Sequence, residues 1–215
     1  MSTTDGAARI ERTTLHTSDG IDLVAELIEP GDVEAAMVAC HPHPLYGGSM
    51  HANVVDALFR ALPADGTAVL RFNFRGANGS GGEHDGGGAE RLDVTAALDA
   101  AADRWPGVPL LLAGYSFGAD VALAVDHDRV VAWFVVAPPL RIVERREQVA
   151  LNDERPVHVV AGAHDQYRAA AEARELLADA VNVTVTEAPG ADHFFAVGLT
   201  TVVEAARRAV AGAAA

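Results

Sequence analysis

The chain has 215 residues, 50% of them hydrophobic, enough for one domain whose core needs neither disulfides nor metals to hold it. A formal net charge of −14, with no basic stripe, excludes a nucleic-acid-binding role because a polyanion would be repelled. No apolar run reaches the length of a membrane span, Met1 to Gly6 carry no signal-peptide pattern, and the single cysteine, Cys40, reads as a packed thiol in a reducing compartment. A cytoplasmic protein without membrane contact is therefore expected. All 16 basic residues are arginine.

Residues 1–8 are expected to be flexible. From Arg9 the chain alternates through Ile10, Thr13 and Leu15, turns at Ser18-Asp19-Gly20, and alternates again through Ile21, Leu23, Ala25 and Leu27. An Asp-Gly between alternating runs predicts an antiparallel hairpin. Ala35 to Cys40 is continuously apolar, the pattern of a strand buried on both faces. It runs into His41-Pro42-His43-Pro44-Leu45-Tyr46-Gly47-Gly48, read as a non-helical loop because each proline biases its predecessor to extended geometry. A helix after Ser49 follows, with Val54, Val55, Leu58, Phe59 and Leu62 at helical spacing. A fourth strand, Ala68 to Phe74, leads into a glycine-rich connection to Gly88, either a mobile loop beside a site or a plain linker.

Beyond it the pattern predicts a helix over Glu90 to Arg104, a fifth strand from Leu110, a helix ending near Val125, and a sixth strand over Val130 to Ala137. After a short helix at most (Val143 to Leu151), a seventh strand spans Val157 to Ala163, a helix Arg168 to Leu177, an eighth strand Val181 to Thr186 and a closing helix Phe194 to Val210. Strands alternating with helices imply a single α/β domain over 1–215: an eight-stranded, mainly parallel sheet with helices on both faces.

At the fifth strand the apolar run breaks into Gly114-Tyr115-Ser116-Phe117-Gly118, a G-x-S-x-G between a strand and a helix. The serine of such a turn is strained and its Oγ is pushed out of the sheet, while glycines on either side remove the Cβ atoms that would collide. Phe117 N–H then lies at a helix N-terminus, suited to a developing oxyanion. A nucleophilic serine needs a base and an orienting acid. Asp165 follows the seventh strand and His193 the eighth, and loops at the carboxyl ends of strands gather on one edge of such a sheet. His164 points away from its neighbour's side, Asp192 reads as a turn or cap residue, and Asp153 sits at the opposite edge. Phe195 is assigned to core or pocket wall, and His43, Tyr46, Tyr115 and Phe194 are candidate pocket residues.

A second oxyanion donor is expected from the loop after strand three. Pro42 and Pro44 have no N–H, which selects Leu45, with His43 and Tyr46 as alternatives. His41, His43 and His51 could be read as zinc ligands, but zinc would leave the serine elbow unexplained. No metal and no cofactor are expected, and His41 or His43 is assigned to bonding the neighbouring backbone. His16, His127 and His158 read as surface or satisfied buried residues.

On these residues the chain resembles an α/β-hydrolase from its first hairpin to its last helix, with the triad in that fold's order of serine, acid, histidine. The stretches His41 to Met50, Arg71 to Gly76, Gly114 to Gly118 and Ala191 to Phe195 are similar to a group of small bacterial hydrolases related to dienelactone hydrolases. The dienelactone hydrolases proper use cysteine, so their lactone substrate is not carried over. Many members of the fold insert a cap domain between strands six and seven, where this chain has only residues 138–155. The resemblance implies an α/β-hydrolase fold without a cap and an open site. The expected function is cleavage of short-acyl carboxylic esters through an acyl-enzyme, with a small-molecule ester as partner and a monomer or homodimer as the working state. Another acyl bond (thioester, lactone or small peptide-like amide) and a non-catalytic binding protein of the same fold are the alternatives.

Overall fold

Side chains along a strand point alternately to the two faces of its sheet, so a strand that is apolar at every position must be covered on both. In the computed structural model, which describes residues 9–213, strand β5 (Leu110–Tyr115) sends Leu110 and Leu112 into one hydrophobic cluster and Leu111, Ala113 and Tyr115 into another. Strands β3 (Ala35–Cys40) and β6 (Val130–Val136) divide their side chains in the same way. Helices α2 (Glu90–Arg104) and α3 (Phe117–Leu123) cover the first face, and α1 (Asn53–Ala61) and α5 (Leu199–Ala213) the second. The expected flexibility of residues 1–8 concerns residues outside those described.

With β1 (Ile10–His16), β2 (Asp22–Ile28), β4 (Thr67–Phe72), β7 (Val157–Gly162) and β8 (Val183–Ala188), the sheet has eight strands in the order β1-β2-β4-β3-β5-β6-β7-β8. β1 pairs antiparallel with β2 and β2 with β4; every other pairing is parallel. This is the expected α/β-hydrolase sheet with its N-terminal hairpin. From β3 the chain moves first to β4 on one side and then to β5 on the other. The crevice beyond the carboxyl ends of β3 and β5 is therefore a topological switch point, where ligands bind in open α/β sheets.

Several boundaries differ from those expected. Helix α5 begins at Leu199 rather than Phe194, because Phe195 (φ +50°) and Gly198 (φ +94°) adopt left-handed backbone. The loop after β3 contains a 3₁₀ turn at Pro44–Tyr46: the prolines keep their predecessors extended, as His43 shows (ψ 120°), yet Pro44 itself opens a helical turn well. Residues 143–151 form two 3₁₀ turns, Arg145–Glu147 and Val149–Asn152, instead of one helix. Asn182 Nδ2 fixes the far end of this segment by donating to the Ala150 and Arg155 carbonyls at 2.9 and 2.7 Å.

The glycine-rich connection is not a plain linker. The buried Glu90 carboxylate accepts the Asp85 and Gly87 N–H groups at 2.8 Å each, and Gly81 N–H donates to Asp22 O. Under the opposite face, the buried Arg71 guanidinium lies 3.8 Å from the centre of the Phe59 ring and donates to Glu26 (2.7 Å) and Asp56 (2.9 Å). Helix α4 (Ala170–Leu176) packs on β7 and β8. Among the described residues no helix is long and apolar enough to cross a membrane.

Candidate active site

The turn between β5 and α3 holds Ser116 at φ +53°, ψ −116°, a conformation that a side-chain-bearing residue adopts only when its surroundings enforce it. Two glycines make that possible. A Cβ on Gly114 would collide with the Gly118 carbonyl, and one on Gly118 would lie 2.5 Å from the His41 carbonyl, so α3, β5 and the end of β3 meet backbone to backbone. Ser116 N–H donates to Val136 O at 2.9 Å, which ties the turn to β6.

Ser116 Oγ is 2.8 Å from His193 Nε2, and His193 Nδ1 is 2.8 Å from Asp165 Oδ2. The other carboxylate oxygen of Asp165 accepts N–H bonds from Tyr167 (2.8 Å) and Arg168 (3.0 Å), so the acid is fixed by its own loop. The loops carrying Asp165 and His193 are pressed together at Gly162, where a Cβ would collide with Ala191 O. Tyr115 Oη donates to His193 O at 2.8 Å; burial raises the pKa of this phenol and keeps it a donor. The Tyr167 ring meets the imidazole edge-on at 4.5 Å. Asn53, at the start of α1, donates to the carbonyls of Phe194 (2.8 Å) and Phe195 (3.1 Å), holding the turn that follows the histidine. Asp165 and His193 are buried, while Ser116 is half-buried and opens to the cavity.

The loop after β3 is organised by its histidines. His41 is fully buried; its Nδ1 donates to Pro42 O and its Nε2 accepts from Phe74 N–H at 3.0 Å. With both nitrogens engaged it has no lone pair for a metal, and burial lowers its pKa to about 4, which keeps it neutral. His43 Nδ1 accepts Leu45 N–H at 3.3 Å, and Tyr46 and Gly48 N–H groups donate to His43 O. The expectation for Leu45 is therefore corrected: its N–H closes the loop's own turn, its side chain is 71% exposed, and it is not among the cavity-lining residues. The Tyr46 N–H is likewise engaged. Among the described residues the N–H groups of His43 and Phe117 carry no hydrogen bond, and both residues line the cavity.

That cavity has a volume of about 670 Å³ and is bounded by Ser116, His193, the His43 loop, Tyr115, Phe194 and the Pro139–Ile142 stretch. All four expected pocket residues, His43, Tyr46, Tyr115 and Phe194, line it. Asp192 Oδ1 accepts Phe194 N–H at 3.0 Å, a turn role. His164 is exposed.

Two acidic residues that shape the site carry no motif. Asp120, fully buried in α3, accepts the N–H groups of Leu140 (2.9 Å), Arg141 (2.8 Å) and Ile142 (2.8 Å), and so seats the stretch that replaces a cap against the cavity. Desolvation pushes its pKa up while those three N–H groups pull it down. Glu90 faces His84, whose Nδ1 lies 2.6 Å from its Oε1, ion-pair close without the alignment of a full hydrogen bond. His84 in turn packs on His43 and Phe117, with ring centres 4.7 and 5.2 Å apart. The only signal of Asp120 in the sequence is its place in the first turn of an otherwise apolar helix, and that of Glu90 its place at the start of a mixed one.

Residues 31–152 match the model of the family described as serine aminopeptidase, S33. The uncharacterized protein RP471 of Rickettsia prowazekii is 32% identical over 165 residues, 72% of this chain and 69% of that protein. Two solved structures share the fold closely. One is an α/β serine hydrolase homologue from Coxiella burnetii (30% identity, TM-score 0.81, 92% of this chain and 96% of that one). The other is XC6422 from Xanthomonas campestris, an α/β serine hydrolase without a lid (29% identity, TM-score 0.83, 95% and 94%).

Proposed function

The chain belongs to the serine aminopeptidase S33 family of α/β-hydrolases, and from that premise we propose that it cleaves carboxylic esters of short acyl groups through an acyl-enzyme on Ser116. The observation that carries this reading is the unbroken relay from Ser116 Oγ through His193 to Asp165, with both links at 2.8 Å, opening into the cavity. His193 Nε2 takes the Ser116 proton as Oγ attacks the ester carbonyl, and Asp165 stabilises the imidazolium and holds Nδ1 protonated. The tetrahedral oxyanion accepts from the Phe117 and His43 N–H groups, donors fixed before reaction by the helix start and the proline-stiffened loop. Collapse expels the alcohol, which takes its proton from His193; water then enters by the same route and releases the acid.

Esters are favoured over the amides of an aminopeptidase by the cavity's chemistry. An aminopeptidase must hold the substrate's α-ammonium with a carboxylate, and none of the cavity-lining residues is Asp or Glu. The short-acyl preference rests on an open cavity with only residues 138–155 where a cap would cover a long chain. A fluorophosphonate probe is expected to label the wild type and not Ser116→Ala, with p-nitrophenyl ester turnover highest from acetyl to butyryl and lower from octanoyl upward. Undiminished labelling and turnover in Ser116→Ala would remove the nucleophile assignment.

A further inference from the structure

The cavity's charge is at odds with the chain's. Although the formal net charge is −14, no carboxylate lines the cavity, and one side chain there is cationic at every working pH: Arg141. Of its histidine neighbours, His43 is pushed toward the neutral form by burial and by the nearby His84.

Most arginines of this chain close an ion pair, as Arg71, Arg75, Arg104, Arg155 and Arg168 do. Among the described residues Arg141 has no carboxylate partner and its guanidinium makes no hydrogen bond. Asp120 attracts it, but both oxygens of that carboxylate are turned to backbone N–H groups, including Arg141's own. The guanidinium instead lies 5.1 Å from the centre of the Tyr167 ring, and Tyr167 packs against His193. A row of Arg141, Tyr167 and His193 thus runs from the exposed mouth to the reacting pair. The backbone under it is fixed: Leu140 is held at φ +54° and Ala137 at φ +47°, conformations maintained by the Asp120 clamp and the Ala137 N–H bond to Val160 O. A cation on a rigid, strained support, with its donors unpaired and facing a cavity, is a built anion receptor.

We infer that Arg141 binds an anionic group of the substrate, so that the preferred esters carry a carboxylate or a comparable anion in addition to the scissile bond. The inference rests on the hydrolase reading above. The anion can belong to the acyl half, as in a monoester of a dicarboxylic acid, or to the leaving alcohol.

Matched substrates in two arms, three pairs in all, separate these sources. For the acyl half, p-nitrophenyl monoesters of glutaric and adipic acid are compared with p-nitrophenyl pentanoate and hexanoate; for the alcohol half, 4-acetoxybenzoate is compared with phenyl acetate. In each pair the anionic-to-neutral ratio of kcat/KM is measured in wild type, Arg141→Gln and Arg141→Lys, and dividing wild type by variant cancels intrinsic reactivity. In one arm the ratio is expected to fall about tenfold in Arg141→Gln, the scale of one charge-assisted contact. It should recover in part with Arg141→Lys, and in wild type it should shrink with added NaCl. Arg208→Gln, on the exposed side of α5, makes the same change in net charge and should leave the ratio alone. Equal ratios in wild type and Arg141→Gln in both arms, with Ser116-dependent turnover of the neutral esters intact, would overturn the anion site and leave the hydrolase standing. No turnover of any of these esters by the wild type would overturn both.

Discussion

Two loops at the carboxyl edge of the sheet carry a histidine in proline- or glycine-rich surroundings, and they put it to opposite uses. After β3, His41 is buried with both ring nitrogens engaged by backbone, at Pro42 O and Phe74 N–H, so it ties one loop to another and exchanges no proton with a ligand. After β8, His193 meets a carboxylate on one nitrogen and a hydroxyl at a cavity on the other. A histidine's role is decided by what its two nitrogens meet: two backbone partners fix its tautomer and make a strut, whereas an acid and a nucleophile make a base.

The largest effect should come from the second loop. Asp165→Asn keeps the shape of the acid but presents the wrong group to Nδ1, so kcat is expected to fall on the order of 10⁴ with Tm nearly unchanged, by analogy with the serine proteases. A near-normal rate would place the orienting acid elsewhere. In the first loop the same kind of change should register as stability. His41→Leu leaves the buried Phe74 N–H without its acceptor and should cost about 1–3 kcal/mol in denaturant unfolding. The pH dependence sharpens the contrast. Unfolded His41 takes up a proton near its ordinary 6.5, whereas the folded residue resists until about 4. The unfolded state therefore binds more protons in that window, and wild-type stability falls as pH drops from 6.5 toward 4, by at most about 1.4 kcal/mol per pH unit. That component should be missing from His41→Leu; an identical slope in the variant would mean that other groups set it. The smallest effect belongs to Asp192→Asn, next to the base in sequence but bonded only to Phe194 N–H: about 1 kcal/mol or less of stability, with kcat little changed.

The proposed triad was readable because its members need only two facts, the strand each follows and the edge to which parallel strands bring their ends. The second oxyanion donor was not, since choosing among Leu45, His43 and Tyr46 depends on which N–H groups the loop uses internally. That is a matter of turn closure, with His43 acting as its own loop's acceptor. The start of α5 was misplaced for a similar reason: Phe194 and Phe195 extend the apolar pattern, but the left-handed backbone at Phe195 sets a turn there. Asp120, Glu90 and the Arg71–Glu26 pair escaped notice because their partners arise through tertiary packing. Arg71 and Glu26 are 45 residues apart, and nothing local marks either as buried.

The stretch between β6 and β7 is fastened at both ends and by different elements, at 140–142 by Asp120 from α3 and at Ala150 and Arg155 by Asn182 from before β8. Its middle, 144–147, is a mostly exposed 3₁₀ turn. Lengthening a loop whose ends are already pinned costs little, since closure entropy grows only logarithmically with length. Residues 144–147 are thus a grafting point: a foreign helical hairpin spliced there would extend the stretch while the anchors on either side of it keep their places against α3 and β8.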